Sequence, residues 1–222
     1  MRYPFPASIP PPPLQMRCGK QFIISLMNGG INLTKPKIGF AICGSFCTFA
    51  KVIPEMRKLC ENGFEIIPIM SNAAYTTDTR FGKATDFISE IEAICGRQII
   101  NSIKEAEPIG PKKLLDALII APCTGNTIAK LACGICDTSV TMAAKAHLRN
   151  GRPLIIAVST NDGLGSNMKN IGTLSASKNI YFVPYGQDDS LGKPNSLVAD
   201  MTKIQETLDN ALKKAQIQPV IV

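Results

Sequence analysis

The chain has 222 residues, enough for one large domain and short for two. With 45% hydrophobic and 18% charged residues and a mean hydropathy of +0.11, it can bury a substantial core. That composition excludes wholesale disorder, and no apolar run reaches the roughly 18 residues of a membrane helix. The net charge of +7 is partly local, since Arg2, Arg17 and Lys20 lie in a start that holds no acid. No Lys/Arg cluster carries interleaved aromatics and tryptophan is absent, so neither nucleic acid nor membrane is an expected partner. A mildly positive chain suits a small anionic molecule equally well.

Residues 1–26 stand apart. Pro4, Pro6 and the run Pro10 to Pro13 fit neither a helix nor a central strand. They are expected to form a proline-rich, disordered extension, with one domain over residues 27–222. From Lys37 onward, strand and helix patterns alternate. Short apolar, β-branched runs predict strands at 38–43, 64–70, 117–121, 154–158 and 180–183, with a weaker one at 98–100. Helical patterns lie at 48–60, 83–95, 128–133, 140–148 and 168–174. A last helix is expected over 199–215, with Ile204, Leu208 and Leu212 four residues apart. The alternation predicts an α/β fold, a single Rossmann-like three-layer domain with a mostly parallel sheet.

Eight cysteines in a chain this large, with no signal segment, point to a reducing cytoplasm. Most sit in apolar runs and are expected to pack as small hydrophobes. Cys133 and Cys136 have redox or metal spacing, but they follow one helical stretch and precede another. No metal site is expected.

Ligands of such sheets bind at the carboxyl ends of the strands, where the strand order reverses. The first strand ends in Cys43-Gly44-Ser45-Phe46, a small turn opening a helix, which suits an anion or a simple N-cap. Neither G-x-G-x-x-G nor a P-loop is present. Ser71-Asn72 follows the second strand. Pro122 is expected to stop the third, followed by Cys123, Thr124 as a cap, Gly125 at unusual backbone angles, and Asn126 and Thr127 pointing into the crevice. Ser159-Thr160-Asn161-Asp162 follows the fourth long strand. Small hydroxyl and amide groups with little charge suit a polar cofactor ring with a phosphate tail, flavin mononucleotide (FMN) above a metal or triphosphate. Asn161 and Asp162 are weak catalytic candidates, and turn capping explains them almost as well. Arg80 can bind a substrate or partner carboxylate through its fork, or simply face solvent. Asp188 and Asp189 fit a solvated turn before a helix start at Pro194-Asn195 better than a metal site. His147, the only histidine, lies within a helix pattern and is expected to pack or face solvent rather than act as a base.

Ile38 to Ser45 together with Ala121-Pro-Cys-Thr-Gly-Asn-Thr-Ile-Ala-Lys130 resembles the flavoprotein family of phosphopantothenoylcysteine decarboxylase and the flavin prenyltransferases. That resemblance implies FMN held by the Gly-Ser turn and the Ala-Pro loop, hence by Gly44, Ser45, Phe46, Ser71, Cys123, Thr124, Asn126 and Thr127. Thr79 to Gly82, Ala106 to Lys112, Ser159 to Gly165 and Gly186 to Ser196 are similar to a narrower branch, the B subunits of dipicolinate synthases. The branch implies formation of pyridine-2,6-dicarboxylate from a cyclic, dihydrodipicolinate-type intermediate of the lysine pathway during sporulation. It implies a partner A subunit that binds NAD(P), and a cytoplasmic homo-oligomer. The decarboxylase branch has a histidine after its second strand and a Pro-Ala-Met-Asn loop after its fifth. Neither is present here, so an FMN-dependent decarboxylase or prenyltransferase is the alternative reading, beside a non-catalytic stabilising subunit.

Overall fold

The computed structural model describes residues 35–222; the expected extension at residues 1–26 and Cys18 lie outside them. The parallel strands are β1 (Lys37–Ile42), β2 (Glu65–Met70), β3 (Ala117–Cys123), β4 (Leu154–Thr160) and β5 (Ile180–Phe182). Every residue of β3 is buried, as are all but the last of β4. This is why both read as unbroken apolar runs, since a strand covered on both faces has no solvent side to alternate with.

The sheet order is β2-β1-β3-β4, with β5 parallel to the first half of β4. Two short strands that the sequence pattern does not suggest, β6 (Tyr185–Gly186) and β7 (Leu197–Ala199), complete it. β7 runs antiparallel to the second half of β4, pairing Ser159 with Val198 and Thr160 with Leu197. The chain passes from β1 outward to β2, then crosses back to β3 on the other side. The switch point therefore lies between the carboxyl ends of β1 and β3.

Helices α1 (Phe49–Glu61), α2 (Asn72–Thr76) and α3 (Ala84–Cys95) follow β1 and β2; α4 (Ile103–Ala106) precedes β3. Helices α5 (Gly125–Ala132) and α6 (Ser139–Leu148) lie between β3 and β4, α7 (Met168–Ser175) follows β4, and α8 (Ile204–Ala211) closes the order. α1 packs on α3 and α8, while α6 packs on α4 and α5. On α1 the core-facing side is Phe49, Val52, Ile53, Met56 and Leu59, a helical period cut into a mixed sequence. One continuous apolar cluster joins the sheet and its helices.

Three local expectations are corrected. Pro122 does not end the third strand: β3 runs through it to Cys123, with its pairing to β4 shifted between Ile120 and Cys123. The segment at 98–100 is a single bridge between Ile100 and Ile69. The expected helix over 199–215 begins only at Ile204, and none starts at Pro194-Asn195. Ala199 is held in the sheet by Tyr185, and extended Asp200 caps a short 3-10 turn by accepting from Thr202 N at 3.1 Å. Long-range pairing overrides local propensity there.

Candidate functional site

At the switch point lies a cavity of about 490 Å³. One wall is the turn after β1, where Gly44 to Thr48 lead into α1. Ser45 N donates to Cys43 O at 2.8 Å and Thr48 N to Ser45 O at 3.0 Å. The N–H groups of Gly44, Phe46 and Cys47 donate to no acceptor among the described residues. Such a run of unspent donors before a helix suits an anion. The second wall is the start of α5, where Thr124 accepts from Thr127 N at 3.4 Å. The floor is the end of β4, with Ser159, Thr160 and Asn161; Ser45 and Ser159 share a hydroxyl–hydroxyl bond of 2.8 Å across the crevice.

The third wall comes from β7 and the loop before it, through Asp188, Lys193, Ser196 and Val198. Pairing of β7 with β4 brings it there. Phe46 and Phe81 supply aromatic surface, and with Cys47 they continue into an apolar annex of about 270 Å³ lined by Phe49, Ile53, Pro54 and Phe87.

Of the residues singled out from sequence, Gly44, Ser45, Phe46, Thr124 and Asn161 line this cavity. Ser71 instead caps α2, accepting from Ala74 N at 3.3 Å. Cys123 is fully buried in β3. Thr127 is buried with its hydroxyl turned inward, donating to Cys43 Sγ at 3.3 Å. Asn126 is exposed on the first turn of α5 and is not part of the lining. Arg80 is exposed with its guanidinium 4.9 Å from the Phe81 ring centre, so it borders the cavity through that ring.

Asp162 lies just behind the floor. Its carboxylate accepts from Thr160 Oγ1 at 2.5 Å, Asn167 Nδ2 at 2.7 Å and Ser166 Oγ at 2.9 Å. The Thr160 hydroxyl first, then Ser166 and Asn167, hold it below the usual carboxylate range. A carboxylate so stabilised is a poor base at neutral pH, and its three bonds hold the loop after β4. Gly125 packs against this cluster; its backbone is not left-handed, and the glycine is required by close approach rather than by angle.

The cysteines divide. Burial pushes Cys43 up to about 11 and Cys123 well above its ordinary value, which makes both poor nucleophiles. Cys47 and Cys133 are exposed, unlike the buried positions expected from the apolar runs. Among the described residues no group of three or more His, Cys, Asp or Glu could hold a metal.

His147 is 1% exposed on α6, away from the cavity, with Nε2 3.0 Å from Pro153 O. Burial drives its pKa down to about 4, the Pro153 bond only partly opposing. The folded chain therefore keeps this ring neutral while the unfolded chain protonates it below about pH 6.5. Stability is expected to fall as pH drops from about 6.5 toward 4, by as much as about 3 kcal/mol. Thermal melts at stepped pH should show that slope in the wild type and a flatter one in His147→Gln; equal slopes would refute the assignment.

A family model described as Flavoprotein matches residues 28–215. The dipicolinate synthase B subunit of Bacillus subtilis (strain 168) is 44% identical over 191 residues, covering 86% of this chain and 96% of that protein. The crystal structure of the dipicolinate synthase B subunit from Bacillus halodurans C superposes with a TM-score of 0.79 at 46% identity, covering 86% of this chain and 98% of that one. Burkholderia xenovorans DmrB, solved in complex with FMN, superposes at 0.60 with 18% identity over 81% of this chain and 96% of its own, a likeness of fold alone.

Proposed function

Because the chain belongs to the flavoprotein family, on the branch of the dipicolinate synthase B subunits, we propose that it is the B subunit of a dipicolinate synthase that uses FMN. The reaction is formation of pyridine-2,6-dicarboxylate from a cyclic, dihydrodipicolinate-type precursor, in the cytoplasm and during sporulation. It requires a nicotinamide-binding A subunit and a homo-oligomeric B subunit. The coarser part rests on the similarity to named B subunits over nearly their whole length. The use of FMN is supported by one observation, the unspent N–H groups of Gly44, Phe46 and Cys47 on a cavity at the switch point.

The donor set fits a flavin nucleotide. Those N–H groups and the Ser45 hydroxyl suit its phosphate. A Cβ built on Gly44 comes no nearer than 3.4 Å to Phe46 and 3.7 Å to Ala73, so the protein does not crowd the turn at this point. Thr124, Ser159 and Thr160 can bond the ribityl hydroxyls or ring edge, and Phe46 and Phe81 offer ring faces. Bound FMN supplies two-electron redox chemistry. The chain's own part is to hold that group and the substrate together and to exclude water with the β7 wall. Asn161, on the floor, is the side chain assigned here to a substrate carboxylate or ring nitrogen. No histidine lines the cavity among the described residues, which disfavours the decarboxylase reading built on one.

The test is the absorption spectrum of the purified protein, followed by reconstitution with an A subunit, a nicotinamide cofactor and the precursor. Flavin bands and pyridine-2,6-dicarboxylate formation that needs both subunits are expected. Product formed by the flavin-free protein would leave it a stabilising subunit, and no product with either preparation would overturn the assignment.

A further inference from the structure

Three charged side chains line the cavity among the described residues: Lys51, Asp188 and Lys193. Lys51 stands on the first turn of α1, beyond the Gly44–Ser45 turn, and Lys193 reaches in from the loop before β7. The Lys51 ammonium makes no hydrogen bond or ion pair with any described residue. Lys193 Nζ lies 3.8 Å from Asp188 Oδ2, a charge contact too long for a hydrogen bond. The Asp188 carboxyl lies below its usual range, first because of the buried Ser196 hydroxyl and only then because of Lys193 and Lys51. The one acid lies 3.8 Å from Lys193, and neither ammonium group makes a hydrogen bond to a described residue.

A single phosphate bridging the two ammonium groups would also meet the Asp188 carboxylate, 3.8 Å from Lys193 Nζ. Two separated carboxylates on one rigid ring can each take one ammonium. Phe46 and Phe81 supply flat apolar surface for such a ring. We propose that Lys51 and Lys193 form the rim that recognises a planar dicarboxylate, so that these lysines determine substrate specificity. The inference rests on the function proposed above and assigns the substrate's anionic ends to residues that no strand-end motif contains.

The probes are pyridine-2,6-dicarboxylate and pyridine-2-carboxylate, titrated calorimetrically into the flavin-loaded protein; FMN and riboflavin are titrated into the flavin-free protein by fluorescence. Wild type, Lys51→Gln, Lys193→Gln and Lys51→Arg are compared. Each Gln variant should bind the dicarboxylate about tenfold more weakly, the scale of one lost charge-assisted bond. Lys51→Arg should retain most of the affinity, and added salt should weaken wild-type binding. The monocarboxylate should bind more weakly than the dicarboxylate, and FMN affinity should change little. Equal dicarboxylate affinity in wild type and both Gln variants would overturn the proposal, as would a wild type that holds flavin yet ignores the dicarboxylate at millimolar concentration. Loss of FMN but not riboflavin binding in the Gln variants would also overturn it, giving the lysines to the cofactor phosphate. Both lysines are exposed, and circular dichroism checks that the variants fold. A protein that binds no flavin and forms no product with an A subunit would count against the function itself, whatever the lysines do.

Discussion

Replacing Gly125 by alanine is expected to lower the melting temperature by on the order of 10 °C. A Cβ at this first residue of α5 would stand 2.5 Å from Thr160 Oγ1, 2.6 Å from Asn167 Nδ2 and 2.7 Å from Asp162 Oδ1. All three belong to the cluster that anchors the end of β4, so the new methyl cannot be absorbed by swinging one flexible tip aside. Either the Asp162 carboxylate loses a bond or the loop lifts off α5. Overpacking plus one weakened charge-assisted bond amounts to about 3 kcal/mol. Gly172→Ala is the matched control, because a Cβ inside α7 meets nothing within 4 Å. It should be neutral or stabilising by up to about 1 kcal/mol. Differential scanning calorimetry of both variants decides the matter. Coincident melts of Gly125→Ala and wild type would show that the cluster yields freely.

Gly44→Val should keep the fold and lose the flavin. The Gly44 backbone is not left-handed, and its Cβ would make only ordinary contacts with Phe46 and Ala73. The branches of valine would instead add bulk to the turn that carries the N–H groups of Phe46 and Cys47, where the phosphate is proposed to lie. Losing a charge-assisted contact there corresponds to about 2 to 3 kcal/mol, or roughly 30- to 150-fold in affinity. Flavin fluorescence titration measures it, with circular dichroism and a thermal melt as controls. Equal affinity in a folded variant would move the phosphate away from this turn. Asn126→Ala is a weaker test than its motif suggests, because that amide is exposed and off the cavity lining.

The five parallel strands and the longer helices α1, α3, α6 and α7 were legible, because covered strands leave unbroken apolar runs and amphipathic helices a 3.6-residue period; the short helices α2 and α4 were not expected. The Gly44–Ser45 turn and Thr124 were equally legible, since capping and turn chemistry is local. Ser71, Cys123 and Thr127 show the limit of the same logic: all lie near a strand end, but Ser71 caps α2, Cys123 is buried in β3 and Thr127 turns its hydroxyl to the Cys43 thiol.

By itself the sequence determined the fold class, the switch-point turn and the family, because each is written in short-range patterns and in segments of distinctive composition. Only the tertiary structure decided which strand-end residues face the cavity and what closes it. The β6–β7 pair carries too few residues for any periodicity and exists through its pairing with β4, yet it delivers Asp188, Lys193 and Ser196 to the third wall. The need for glycine at 125 is likewise set by a cluster some 35 residues further along the chain. Contacts of that sequence separation depend on where the chain returns in space, which no local propensity encodes.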